Sequence, residues 1–350
     1  MVEDNIFSCA AKKDNDLFLT SEEFNSVFSI NLEKNTIDVW DKIPEENFFT
    51  KRAYSQILLF DNKLLLVPFN AKKIWIYDFY LKAWDNVDCG MYNENSRYKF
   101  SCAYEFEGYI YLFGYSQPKI LKICKEDKLC YEISLEKEMM GKNVTREGLF
   151  NDNYVFVDNY IFLPVLCSNQ VFRINLKTDE YDFLSVGIES NDRVIGLTKY
   201  NEELWLISQN GVVIKWNNKS DNKEKYALSE KYDLKDYNVE GIKRIGDTCK
   251  VMAYANCTLD IDLNVFGEYS INDNDIIFLR NLDNDSYVYQ LCDGELIYVN
   301  GEDTLKLSTF VAKQKILSVA KQQSKKYDII ENRLINEERF FTLEDYLNCL

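Results

Sequence analysis

The 350-residue sequence contains no histidine, and that absence removes more chemistry than any other feature of its composition. Histidine is the commonest general base near neutral pH and the commonest nitrogen ligand for transition metals. A Ser/His/Asp triad, a Cys/His dyad, a two-His-one-carboxylate iron site and a His-bearing copper or zinc centre are therefore excluded. The ten cysteines do not fill the gap. Cys9, Cys89, Cys102, Cys124, Cys130, Cys167, Cys249, Cys257, Cys292 and Cys349 are scattered, and no pair has the two-residue gap of zinc or redox motifs. They read as reduced, mostly buried thiols. No metal or other cofactor is expected, and any catalysis would fall to carboxylates, Tyr, Lys, Arg or Cys.

Other scarcities narrow the class. No apolar run approaches membrane-spanning length. The first eight residues, MVEDNIFS, lack the basic region and apolar stretch of a secretory signal, so the expected compartment is the cytoplasm. The N-X-S/T triplets at Asn143, Asn218, Asn256 and Asn284 are then chance matches in an Asn-rich chain. Basic residues are outnumbered 41 to 57, for a formal net charge of −16, which opposes approach to nucleic acid or an anionic membrane surface. Neither is expected as a partner.

What the sequence does have is apolar, β-preferring residues: the hydrophobic fraction is 46%, with 24 Tyr, 22 Phe and 5 Trp. They recur in a pattern. A short strand reads VFSIN at 27–31, IWIYD at 74–78, ILKIC at 120–124 and VFRIN at 171–175, then VIKWN at 213–217, TLDID at 258–262 and TLKLS at 304–308. Its penultimate residues, Ile30, Tyr77, Ile123, Ile174, Trp216, Ile261 and Leu307, are spaced by 47, 46, 51, 42, 45 and 46 positions. That is near the period of a four-stranded propeller blade. An apolar strand precedes each marker, from Leu17, Leu64, Ile110, Ile161, Leu204, Val251 and Leu296, usually after a turn such as DND, FDN, EFEG or VDN. The first four markers are followed by IDVW, WDNV, CYEI and YDFL. The remaining strand of the unit reads FSCAAKK from Phe7, YSQILLF from Tyr54, FSCAYEF from Phe100 and VIGLTKY from Val194. Four short strands per unit, almost no helix signal, and only 4 Pro and 13 Gly fit tightly turned hairpins. The expected fold is all-β, a β-propeller of about seven four-stranded blades over residues 5–310.

The chain resembles the kelch-type propellers, including the galactose-oxidase-like group, over roughly residues 5–309. Tyr77 followed seven positions later by Trp84 is like the Tyr and Trp of a kelch repeat. The paired glycines that a kelch repeat carries after its second strand are replaced by Thr20 and Ser21, Pro68 and Phe69, Gly114 and Tyr115, or Pro164 and Val165. The resemblance implies the fold. It does not imply the group's copper chemistry, which needs two His ligands. Residues 311–326 read either as an outer strand finishing the last blade or as the start of a helix. The stretch TLEDYLNCL, with Thr342 as N-cap and Leu343, Tyr346, Leu347 and Leu350 at helical spacing, reads as a short amphipathic helix. Residues 311–350 thus form a blade-closing strand, a helical tail, or both.

In a four-stranded blade, the loop leading into the innermost strand and the loop joining the second and third strands open on one face. Four of the nine arginines precede or open the innermost strand of consecutive units: Arg52, Arg97, Arg146 and Arg193. Guanidinium groups match carboxylate or phosphate through a planar donor fork, so such a set predicts an anionic ligand at that face. The competing reading is that each pairs with an acidic loop neighbour such as Glu147 or Asp192. The second-to-third-strand loops add Asn70 and Lys72, Tyr115 and Gln117, Asn169 and Gln170, then Gln209 and Asn210. These suit sugar hydroxyls and also serve as ordinary turn residues. Two functions follow. One is a non-enzymatic recognition module that binds a protein partner, or an anionic glycan or small molecule, through the Arg-bearing face. The other is a metal-independent carbohydrate-active enzyme, a hydrolase, lyase or sugar isomerase, using Glu or Asp with Arg and Tyr.

Overall fold

The computed structural model describes residues 7–307, apart from 23–24, 41–42, 47–49, 89, 229–238, 246–247, 254–256, 266, 268, 273–275, 284–285 and 292. The region read from sequence as a closing strand or helical tail, 311–350, lies outside the described residues.

The strands form seven four-stranded antiparallel sheets, each in simple up-and-down order. The first is β1 (Phe7–Lys13), β2 (Asp16–Ser21), β3 (Val27–Asn31) and β4 (Thr36–Val39). The second is β5 (Tyr54–Phe60), β6 (Lys63–Pro68), β7 (Ile74–Asp78) and β8 (Ala83–Val87). The third is β9 (Phe100–Phe106), β10 (Tyr109–Gly114), β11 (Lys119–Cys124) and β12 (Cys130–Ser134). A single helical turn, α1 (Val144–Glu147), precedes the fourth: β13 (Val155–Val157), β14 (Tyr160–Pro164), β15 (Gln170–Asn175) and β16 (Tyr181–Ser185). The fifth is β17 (Val194–Tyr200), β18 (Glu203–Ser208), β19 (Val212–Asn217) and β20 (Asn222–Ala227). The sixth is β21 (Val239–Ile245), β22 (Thr248–Ala253), β23 (Cys257–Asp262) and β24 (Tyr269–Asn272). The seventh is β25 (Ile276–Asn281), β26 (Ser286–Leu291), β27 (Leu296–Asn300) and β28 (Asp303–Leu307). Register is described for every strand pair in the first six sheets and for β27–β28 in the seventh. The architecture is an all-β propeller.

Local chemistry explains the repetition. The first hairpin of each of the first five sheets closes through a two-residue turn whose first residue has positive φ: Asp14, Asp61, Glu107, Asp158 and Asn201. Short polar side chains and glycine tolerate that conformation, and such turns fit the twist of the flanking strands. Five of the first strands also carry a bulge one residue in from their start. In three of them the extra residue is serine. The Ser8, Ser55 and Ser101 hydroxyls reach back to the Thr20, Val67 and Phe113 carbonyls at 3.4, 3.4 and 3.2 Å. The repeated FSCA at Phe7 and Phe100 is the sequence trace of this bulge.

Two parts of the repeat differ from the sequence reading. Arg146 does not open an innermost strand; it lies on α1, and the strand begins at Val155. The Asp158–Asn159 turn pairs Val157 with Tyr160, so counting back from it leaves Leu149 and Phe150 outside the ladder. The seventh marker, Leu307, lies in a fourth strand rather than a third. Only three residues separate β24 from β25, against fourteen between β4 and β5, so the last sheet begins early and is complete by Leu307.

Residue contacts divide the chain into two compact units, Met1–Lys99 with Val288–Leu350, and Phe100–Tyr287. In the first, Cys9, Phe18 and Val27 pack against Ile57, Leu64 and Trp75 between the first two sheets. The last strands meet the first sheet in the same unit: Asn35 Nδ2 donates to the Lys306 carbonyl at 3.0 Å, and Lys12 lies over the Tyr298 ring. Tyr77 and Trp84 face each other across β7 and β8, ring centroids 5.1 Å apart. In the second unit, separate cores fill the spaces between sheets three and four, four and five, and five and six. Cys9, Cys102 and Cys167 are buried thiols outside any disulfide, with Cys124 and Cys130 half-buried. No helix among the described residues is long and apolar enough to cross a membrane.

Two buried tyrosines set up a contrast. The Tyr111 hydroxyl on β10 lies 2.8 Å from the Leu176 carbonyl and 2.9 Å from Asp179 Oδ1, and Lys122 Nζ holds the other carboxylate oxygen at 2.6 Å. This network ties the third sheet to the fourth. The Tyr54 hydroxyl is buried, and among the described residues no hydrogen bond of normal geometry reaches it, its nearest polar neighbour being the Asn25 side chain. Tyr111→Phe is expected to cost about 1.5–3 kcal/mol, the scale of a bond to a charged group, whereas Tyr54→Phe should cost at most about 0.5 kcal/mol. Urea midpoints of the two variants check the ranking.

Candidate functional site

One cleft of about 620 Å³ in the first unit gathers residues from the loops that the repeat geometry singled out. Glu22 follows β2, Thr50, Lys51 and Arg52 lead into β5, Asn70 and Lys72 join β6 to β7, and residues 94–98 lead toward β9. Lys51, Arg52, Lys72 and Arg97 supply four positive charges, against two negative from Glu22 and Glu94. The whole chain carries a net charge of −16, so this local excess of cations runs against the average.

The walls are fixed by backbone contacts as much as by side chains. Arg52 adopts φ 44°, and its amide donates to the Glu22 carbonyl at 2.7 Å. Its Nε lies 3.6 Å from Glu22 Oε1, and its guanidinium stacks over Phe69 at 4.8 Å. Asn70 is a staple between walls: Nδ2 donates to the Lys51 carbonyl at 3.0 Å, and Oδ1 accepts from the Tyr98 amide at 3.3 Å. Its role is therefore to position the rim. Beneath the Lys72 wall, the buried carboxylate of Glu46 accepts from the amides of Lys72 and Lys73, at 3.1 and 2.8 Å, and from Trp75 Nε1 at 3.3 Å. Lys99 is fully buried. Its Nζ donates to the Ala71 carbonyl at 2.9 Å and to the Ser96 carbonyl, while its amide donates to Phe69 at 2.9 Å. Burial pulls its pKa down to about 8, with the charges of Glu46 and Glu94 opposing that fall.

The structure thus brings together Arg52, Arg97, Asn70 and Lys72. The other anticipated residues belong to the second unit. Arg193 sits directly before β17 and pairs with Glu147, 46 positions away, at 3.0 Å. The buried carboxylate of Asp192 accepts from the amides of Arg193 and Asn210 at 2.8 and 3.2 Å. Tyr115 lies against Gly148 and its carbonyl accepts from Leu149 at 2.6 Å; the Gln117 and Gln170 carbonyls accept from Lys119 and Val165. Asn169 Nδ2 donates to the Ile188 and Glu189 carbonyls. The side chain of Arg146 lies outside the described residues.

Sequence reasoning missed Lys51, Glu46, Glu94, Tyr98 and Lys99. The one signal was at Lys99, a charged residue placed immediately before the apolar strand FSCA. Glu46 left no signal, because its partners lie 26 to 29 positions away.

No protein-family model and no curated protein sequence matches the chain. Solved structures do. BamB from Moraxella catarrhalis superposes with a TM-score of 0.55 at 12% identity, covering 84% of each chain. A chain of the mitotic checkpoint complex gives 0.59 at 9% identity, covering 87% of this chain and 92% of that one. Hsv2 from Kluyveromyces lactis gives 0.52 at 9% identity, covering 87% and 98%. At these identities the likeness concerns the propeller fold alone.

Proposed function

We propose that this propeller is a recognition module that takes a carboxylate-bearing segment of a protein partner into the cleft lined by Lys51, Arg52, Lys72 and Arg97. The observation that carries this reading is the excess of cations over acids in one concave site of an otherwise acidic chain. A cleft of about 620 Å³ is large for a single carboxylate and suits several residues of an acidic peptide. A structurally similar chain lies in a protein assembly, the mitotic checkpoint complex, which agrees with a protein partner.

A fluorescein-labelled hexaglutamate peptide provides the test. It should bind, and binding should weaken as salt screens the cleft. Arg97→Ala and Lys72→Ala should each lose about 1.5–3 kcal/mol if they hold a carboxylate, roughly tenfold to a hundredfold in affinity. The urea midpoint of Lys72→Ala should stay close to that of the parent. Arg52 is a poorer probe, because its contacts with Glu22 and Phe69 also serve the fold. Absence of binding, or binding unchanged in both variants, would overturn the reading.

A further inference from the structure

We infer that anion binding in the cleft is linked to the protonation of Lys99, so that the ligand draws a proton onto this buried amine and loses affinity as the proton leaves. The inference rests on the cleft reading above. Lys99 does not line the cleft, but its Nζ is bonded to the carbonyls of Ser96, which does, and of Ala71, between the cleft residues Asn70 and Lys72. Its charge therefore lies directly behind two walls of the site.

The charges on the surrounding elements can be named. Glu46, from the loop before β5, and Glu94, from the loop that carries Ser96, are the anions whose charge acts on Lys99. Lys72 and Lys73 occupy the Ala71 loop, Lys73 being tied to Glu45 at 2.6 Å. Lys51 and Arg52 lead into β5, and Arg97 is two positions from Lys99. Burial disfavours the ammonium and sets its pKa near 8. A ligand carboxylate in the cleft adds a further negative charge close to a poorly solvated amine, where electrostatic interactions are strong. The bound-state pKa must then exceed the free-state one.

The sign follows from linkage. Below the free-state pKa, Lys99 is protonated with or without ligand and affinity is independent of pH. Between the free and bound values the complex holds more protons than the free protein, so affinity falls with rising pH. Above the bound value it levels off at a weaker plateau. The absence of histidine leaves this window unusually clear: only thiols and the α-amino group ordinarily titrate in it.

The experiment follows hexaglutamate binding from pH 6.5 to 9.5 at fixed ionic strength, with calorimetry at pH 8.5 in two buffers of different ionisation enthalpy. The expected result is at least about a fivefold loss of affinity across the range, the lower end of typical coupling, with net proton uptake at pH 8.5. Lys99→Arg, charged throughout, should flatten the profile at the tight plateau. Lys99→Met should flatten it at the weak one. If either variant fails to fold, proton uptake by the parent protein still decides. Binding without proton uptake, or an unchanged profile in a folded variant, would overturn the linkage and leave the cleft reading intact. No binding at any pH would overturn both.

Discussion

Glu46→Ala is expected to lower stability by about 3–6 kcal/mol. Glu46 is 4% exposed, and its carboxylate accepts three hydrogen bonds, from the amides of Lys72 and Lys73 and from the Trp75 indole. A buried donor left without its acceptor costs on the order of 1–3 kcal/mol, and alanine orphans all three. The loss has a second part, because the charge of Glu46 favours the ammonium of Lys99 against burial more than that of Glu94 does. Removing one partner of a buried charge set is more damaging than never having built it. Glu46→Gln should be intermediate, since its amide oxygen replaces one acceptor and its NH2 faces a donor. Urea unfolding at unchanged m-value measures both. Equal midpoints for the Ala variant and the parent would show that the donors find water instead. Because these bonds hold the Lys72 wall, hexaglutamate binding should fall with stability here, whereas in Lys72→Ala binding should fall alone.

Gly114→Ala should cost about 3 kcal/mol or more, for a steric reason. A Cβ at this position would lie 2.0 Å from the Gln117 carbonyl oxygen and 2.8 Å from that of Lys119. Both are backbone atoms, so no side-chain rotation relieves the overlap. Overpacking that forces backbone movement costs about 1–3 kcal/mol and sometimes more. Opening the loop would also strain three hydrogen bonds: Lys119 N to Gln117 O at 2.8 Å, Leu149 N to Tyr115 O at 2.6 Å and Leu135 N to Pro118 O at 2.7 Å. Gly108→Ala is the useful comparison. Gly108 has φ 89° with nothing within 4 Å of an added Cβ, so it should lose only the left-handed backbone penalty of about 1–2 kcal/mol. The expected order of urea midpoints is parent, Gly108→Ala, Gly114→Ala. Reversal of the last two would show that the 115–118 loop yields easily.

The same glycine shows why the kelch resemblance stops at the fold. A paired-glycine motif frees the backbone after the second strand, but here four sheets place serine, proline or a single glycine there. Ser21, Pro68, Gly114 and Ser208 each stand opposite the residue that opens the first strand. The common element is the bulge that follows, which requires no glycine.

The sequence by itself determined the strands and their turns. Apolar alternation marks a half-buried strand, and Asp-Asn or Glu-Gly accepts positive φ; both are properties of adjacent residues, so Tyr54–Phe60, Phe100–Phe106 and Val194–Tyr200 could be read directly. A strand's rank within its sheet is less local. The hairpin of β27 and β28 carries the same pattern as a second and third strand, and only the short connection after β24 makes it a third and fourth. Tertiary structure alone decided which charges meet. Arg52 finds Glu22 across 30 positions and Arg193 finds Glu147 across 46, while Arg97 shares a cleft with Arg52. Glu46 was invisible for the same reason, and Lys99 showed only as a charge at the head of an apolar strand. The energy of a buried charge is set by the solvent it loses and the partners that replace water, and folding brings those partners from other strands.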